Sequence, residues 1–161
     1  MKDIPEGYRT VTPWIISRDT TRLIAFVKEA FHAYDDNRVY NEDGTIGHAE
    51  VRIGDSVVMM FDAKEEWPDT PSFLRLYFED GDAVYQQALQ AGATPVTEMT
   101  TLFFGDRVGR VRDPLGNIWW IQTRIEDLTP EEMAKRAGQS EYIEAMRYVQ
   151  GSLRLTPSTE S

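Results

Sequence analysis

Gly105-Asp106-Arg107, followed by Val111-Arg112-Asp113-Pro114-Leu115-Gly116-Asn117-Ile118-Trp119-Trp120, is the stretch on which the fold of this chain turns. Asp-Pro opens a tight turn and Gly-Asn closes it, so the flanking runs Arg107–Arg112 and Ile118–Thr123 are predicted to be two antiparallel strands. Working outward, Thr94–Met99 is a further strand. Asp80 or Asp82 caps a helix that runs through Val84, Ala88 and Ala91 and stops at Gly92. Phe73–Phe78 precedes it as another strand, so the order is strand, helix, three strands.

The same order is readable upstream. Tyr8–Ser17 is strand-like, Asp19 is an N-cap, and Leu23, Phe26, Val27, Ala30 and Phe31 recur at helical spacing, which predicts a helix over 20–32. Strand candidates Arg38–Tyr40, Ile46–Ile53 and Val57–Phe61 follow, separated by the turn pairs Asp43-Gly44 and Gly54-Asp55. An offset of 61 residues superimposes Asp19 on Asp80 and Val57–Phe61 on Ile118–Gln122. Neither βαβββ unit buries its sheet alone, so the expected fold is α+β, with two units (8–62 and 72–124) pairing their sheets into one curved surface and helices outside.

Beyond residue 124 the composition changes. Thr129-Pro130-Glu131-Glu132 is a capping box with proline at the first helical position, and helices are predicted at 129–137 and 140–151. They form a helical extension over 125–154, followed by a flexible tail at 155–161. The extension carries an apolar stripe, Tyr142, Ile143, Met146 and Val149, suited either to a partner copy or to its own chain.

The side-chain inventory narrows the chemistry. With no cysteine and only His32 and His48, thiolate-bound zinc, iron–sulfur clusters and thiol nucleophiles are excluded, and a protein-held metal would depend on oxygen ligands and at most two imidazoles. Seventeen basic against 27 acidic residues leave a net charge of −10, which argues against nucleic acid, because phosphate binding needs a basic surface. A neutral or cationic small molecule suits it better. No apolar run approaches the roughly 18 residues of a membrane span and the amino terminus does not read as a leader, so no membrane partner and a cytoplasmic location are expected.

The paired βαβββ order, Ser17-Arg18-Asp19 leading to Ala25-Phe26, and above all the turn quoted first resemble the vicinal oxygen chelate superfamily of glyoxalases, ring-cleaving dioxygenases and bleomycin resistance proteins. Within it, Gly47-His48-Ala49-Glu50-Val51-Arg52-Ile53-Gly54-Asp55-Ser56 resembles the PhnB-like branch. The resemblance implies a divalent metal held by His, Gln or Glu on the first and last strands of the units. The matching positions here are Thr12, Met59, Phe73 and Trp120, none of them a good ligand for such an ion. No metal or other cofactor is therefore expected.

Strand alternation proposes what lines the cup instead. Trp14 on the first strand, His48, Glu50 and Arg52 on the third, Phe61 on the fourth, then Phe73, Arg75 and Tyr77, and Trp120 with Gln122 make an aromatic site with a few polar groups. Arg52 and Arg75 pair with a carboxylate, stack on a ring, or receive an anionic ligand. Which of Arg107, Arg110 and Arg112 point inward is not readable. Thr100–Gly105 is a lid, a partner contact or a buried hairpin end, and Glu65-Glu66-Trp67-Pro68 is a second candidate cover. His32 reads as a helix-end residue. The resemblance to antibiotic-sequestering relatives implies a non-catalytic homodimer that binds a cationic or aromatic compound. The alternatives are a metal-dependent lyase, isomerase or dioxygenase with a rearranged site around His48 and Glu50, helped by Gln122, or metal-free acid–base catalysis by His48 and Glu50.

Overall fold

In the computed structural model, which describes residues 1–157, both halves of the chain build the same element order. The halves form two compact units that meet in sequence at Ser72 and Phe73. In the first, β1 (Trp14–Ser17), α1 (Thr20–Phe31), β2 (Tyr34–Tyr40), β3 (Ile46–Ile53) and β4 (Ser56–Asp62) give a sheet of order β1-β4-β3-β2. β1 runs parallel to β4, and the other neighbours are antiparallel. The Asp19 carboxylate accepts the Arg22 N–H at 3.0 Å and starts α1. Leu23, Ile24, Val27 and Ala30 of that helix are fully buried, as are Ile15, Ala49, Val51 and Met60 of the sheet, and α1 packs on β1, β3 and β4. The alternation expected for β3 is present: Ala49, Val51 and Ile53 are buried, while His48, Glu50 and Arg52 between them are half-buried.

The second unit repeats this with β5 (Phe73–Tyr77), α2 (Gly81–Gln90), β6 (Thr94–Thr101), β7 (Asp106–Arg112) and β8 (Ile118–Arg124), in sheet order β5-β8-β7-β6. The equivalence reaches single hydrogen bonds. Asp62 accepts the backbone N–H of Thr20 at 2.8 Å, and Thr123, 61 residues on, accepts that of Gly81 at 2.6 Å. A Cβ on Gly81 would lie 2.4 Å from the Thr123 hydroxyl, so this close approach requires glycine. The β7–β8 turn is organised by Asp113, 3% exposed. Its carboxylate accepts the N–H groups of Leu115 (2.8 Å) and Asn117 (3.0 Å), the Asn117 amide (2.9 Å) and the Trp119 indole (2.8 Å).

The extension forms α3 (Pro130–Ala137), capped by Thr129, and α4 (Ser140–Gly151). Part of the apolar stripe of α4 turns back on its own unit: Val149 is buried with Leu102 and Val108, and Phe104, Trp120, Ala145 and Met146 pack around them, while Ile143 is exposed. Thr100–Gly105 is thereby the buried hairpin end rather than a lid. Among the described residues, no helix is long and apolar enough to cross a membrane. Of the tail at 155–161, residues 158–161 lie outside the described residues.

Two local expectations are corrected. The first strand begins at Trp14, not Tyr8. Pro13 has no N–H for the ladder, its carbonyl takes the last bond from the Met59 N–H at 2.9 Å, and the chain before it leaves the sheet. The second strand begins at Tyr34, earlier than Arg38. The repeat also slips: Met59 and Trp120 are 61 apart, but Glu50 and Arg110, which face them, are 60 apart, because the β7–β8 turn is one residue longer than its counterpart.

Candidate functional site

The exposed face of the first sheet carries five of the residues proposed from sequence, Trp14, His48, Glu50, Arg52 and Phe61. Glu50 is its centre. One carboxylate oxygen lies 3.0 Å from His48 Nε2, and the other accepts the Tyr8 hydroxyl at 2.5 Å. Those two contacts, Tyr8 foremost, hold the Glu50 carboxyl below the usual carboxylate range. The same bond pushes the Tyr8 phenol up, because ionising it would set two anions side by side. Glu50 is thus a fixed negative charge near neutrality. Beside it, the Trp14 ring is 56% exposed and is met edge-on by His48 at 5.6 Å and by Phe61 at 5.8 Å. Trp67 adds a further edge contact to Phe61 at 6.0 Å.

Two stretches of irregular chain border this face. Residues 3–12 arch over Glu50 and Met59 and leave a hollow of 530 Å³ lined by Ile4, Pro5, Tyr8 and Thr12. The Glu65–Pro68 connector is pinned by Arg18, which donates to Asp69 (2.7 Å), to the Lys64 carbonyl (2.9 Å) and to the Trp67 carbonyl. Arg52 stands at the end of β3 and is paired with Asp35 at 3.3 Å, so of the alternatives open to it, pairing is realised. His32 is the left-handed C-cap of α1, away from this face.

On the second sheet, Trp120 lies between Arg75 and Arg110, its cross-strand neighbours on β5 and β7. Their guanidinium carbons stand 4.4 and 4.1 Å from its ring centre, a cation–π arrangement. Phe73 meets the same ring at 6.1 Å. The arginine question is answered here: Arg107 turns to Asp82 (2.7 Å) on the α2 side, whereas Arg110 and Arg112 lie on the α4 side. Arg110 donates to Thr97 (2.9 Å) and to the Val149 carbonyl (2.6 Å), and Arg112 to the Arg154 carbonyl. Burial, then the nearby Arg75 charge, lowers the Arg110 pKa. Tyr77 is exposed on the same face. Gln122 is buried and its amide N–H donates to Asp106 at 2.5 Å, while its amide oxygen is buried without a donor among the described residues.

The four positions matching the superfamily's ligands do not fit a divalent ion. Thr12 donates its hydroxyl to the Arg9 carbonyl at 3.1 Å, Met59 offers only a thioether, and Phe73 and Trp120 pack on each other. Among the described residues, no group of three or more His, Asp or Glu is placed to hold a metal ion. Sequence reasoning missed Tyr8 and Arg110. Nothing in the pattern marks Tyr8, which reaches Glu50 through irregular chain, but the opposition of Arg110 to Trp120 follows from the strand register once the turn length is known.

Two βαβββ units of this topology, each with its helix on one face of a mixed sheet, are the architecture of the vicinal oxygen chelate fold. The chain belongs to the Glyoxalase/Bleomycin resistance protein/Dioxygenase superfamily, whose family model matches residues 10–121. It is 34% identical over 134 residues to an uncharacterised protein of Mycobacterium bovis, covering 76% of this chain and 88% of that one. Among solved structures it is similar to TioX from Micromonospora sp. ML1 (TM-score 0.59, 21% identity, 75% of this chain and 100% of the other). It is also similar to the fosfomycin resistance protein FosX from Listeria monocytogenes (TM-score 0.57, 13% identity, 78% and 97%). At these identities the structural likeness speaks for the fold. The helices α3 and α4 lie outside the family match.

Proposed function

We propose that this chain binds a small molecule without transforming it, as a PhnB-like member of the superfamily in which the usual metal centre has given way to aromatic and charged faces. Its ligand is a planar aromatic cation. The observation that carries this reading is the Trp14 face: a half-open indole walled by His48 and Phe61, beside a carboxylate held ionised by Tyr8 and His48. A cation stacked on Trp14 gains from the ring and from Glu50 together. The net charge of −10 adds long-range attraction that salt weakens. Thr12, Met59, Phe73 and Trp120 at the superfamily's ligand positions support the loss of metal chemistry.

The test is a thermal-shift titration with a planar aromatic cation such as an acridinium. We expect a rise in melting temperature at ligand concentrations of roughly 0.1–1 mM, reduced by raised salt and lost in Trp14→Ala and in Glu50→Gln. No rise up to millimolar ligand would count against the reading. Stoichiometric metal in protein purified without chelator, lost in His48→Ala, would replace it with the metal-dependent alternative.

A further inference from the structure

Arginines on the strands of this protein fall into two groups. Arg38, Arg52, Arg107 and Arg124 each have a carboxylate within ion-pair distance. Arg75, Arg110 and Arg112 have none among the described residues, and strand alternation puts all three on one face of the second sheet, around Trp120. In a chain with 27 acidic side chains, the concentration of uncompensated positive charge at one place is informative. Two of the three are nearly buried, Arg110 at 4% and Arg112 at 9% exposure, and their bonds run to Thr97 and to main-chain carbonyls. The Nε atoms of both, and Trp120 Nε1, are buried donors without an acceptor. A neutral carbonyl satisfies an N–H but does not balance a charge.

Arg75 is the accessible member. It sits at mid-strand on β5, an edge of the sheet, exposed between Phe73 (45% exposed) and Tyr77 (63%). Its guanidinium carbon lies over the Trp120 ring, and no ion pair engages its N–H groups among the described residues, the groups with which an arginine binds carboxylate and phosphate in a fork. We propose that the Arg75 end of this stack is an anion-binding site for a small molecule whose carboxylate or phosphate pairs with Arg75 and whose flat apolar body lies on Phe73 and Tyr77. Arg110 and Arg112 stand behind it and supply charge without contact. A strand carboxylate on that face, Asp106, is bonded by the Gln122 amide and forms no ion pair with the three arginines among the described residues. One accessible guanidinium on an acidic protein selects a small anion over a polyanion. Every residue of this site belongs to the second unit, and its charge preference is opposite to that proposed for Trp14 and Glu50, so the two readings fail independently.

The test follows indole ¹H–¹⁵N resonances while titrating benzoate, phenyl phosphate and benzylammonium, with the Trp120 resonance identified by its loss in Trp120→Phe. We expect benzoate or phenyl phosphate to move Trp120 with half-saturation below about 1 mM, and their ranking tells carboxylate from phosphate recognition. Arg75→Gln weakens this at least tenfold, Arg75→Lys weakens it by losing the fork, and Arg147→Gln on α4 leaves it unchanged. Failure of both anions to move Trp120 at 10 mM, equal movement by benzylammonium, or unchanged affinity in Arg75→Gln would each overturn the proposal. Should Arg75→Gln fail to fold, unchanged affinity in Arg75→Lys would do the same.

Discussion

Across its middle row the first sheet reads Trp14, Met59, Glu50 and Asn37. The corresponding row of the second reads Arg75, Trp120, Arg110 and Thr97. Backbone pairing is the same, yet the charge is inverted: an acid opposite the fourth strand in one unit, a guanidinium in the other. Each central charge is answered by chain from outside the repeat. Tyr8, from the irregular amino-terminal stretch, donates to Glu50, and Val149, from the carboxy-terminal helix, accepts from Arg110. The hydrogen-bond ladder thus fixes where a side chain stands, and the segments added to the ends decide whether it stays open. Glu50 keeps a solvent-facing aromatic neighbour, whereas Arg110 is closed over by α4.

The largest expected effect lies at the carboxylates that tie each unit together, Asp113 in the β7–β8 turn and Asp62 at the end of β4. Asp113→Ala strips four donors of their acceptor inside the second unit and should cost about 3–5 kcal/mol, seen as a lowered denaturation midpoint. Asp62→Ala in the first unit strips two, the N–H groups of Thr20 and Ile46, and should cost about 2 kcal/mol. Equal losses would show that the Asp113 turn carries no larger share of stability than the two contacts made by Asp62 at the end of β4. Next in size is Arg110→Ala, expected to cost about 1–2 kcal/mol. It should also lower hydrogen-exchange protection in α4 more than in α2, since Arg110 ties α4 to the sheet through Val149. Uniform loss of protection across both helices would break the assignment of Arg110 as that tie.

Much of this was legible beforehand, and the misses have physical causes. Caps and turns are local chemistry, so Asp19, Asp80, Thr129 and the Asp113–Asn117 turn were readable, and with them the order of elements. β3 has one face on α1 and one open, so its alternation placed His48, Glu50 and Arg52 correctly. β7 has α2 on one side and α4 on the other, so nearly every residue in it is buried and no alternation marks Arg110 from Arg107. The strand reading of Tyr8–Pro13 followed bulky side chains and neglected that Pro13 ends the ladder. The extension's destination depended on a groove made by Leu102 and Val108, which exists only after β6 and β7 have paired.

The smallest effect, and the one that separates the units by sign, is the response to acid. In the first unit Asp36 is bonded by Arg38 at 2.8 and 2.9 Å and by Lys28 at 2.6 Å, and the Arg38 contact foremost lowers its pKa to about 2. Its folded value lies below the unfolded one, so its contribution is full above the ordinary carboxylate range and is lost as pH falls through about 2. Burial pushes Asp113 the other way, against its four donors. Its folded value lies above the unfolded one, so the penalty of burying the charge is relieved as pH falls toward the ordinary range. Melting wild type, Asp36→Asn and Asp113→Ala between pH 7 and pH 3 should therefore narrow the gap to Asp36→Asn and widen the gap to Asp113→Ala, each by about 1 kcal/mol or less. Gaps that move in the same direction would mean that the two carboxylates share one kind of environment, and the contrast between the units would not extend to their titration.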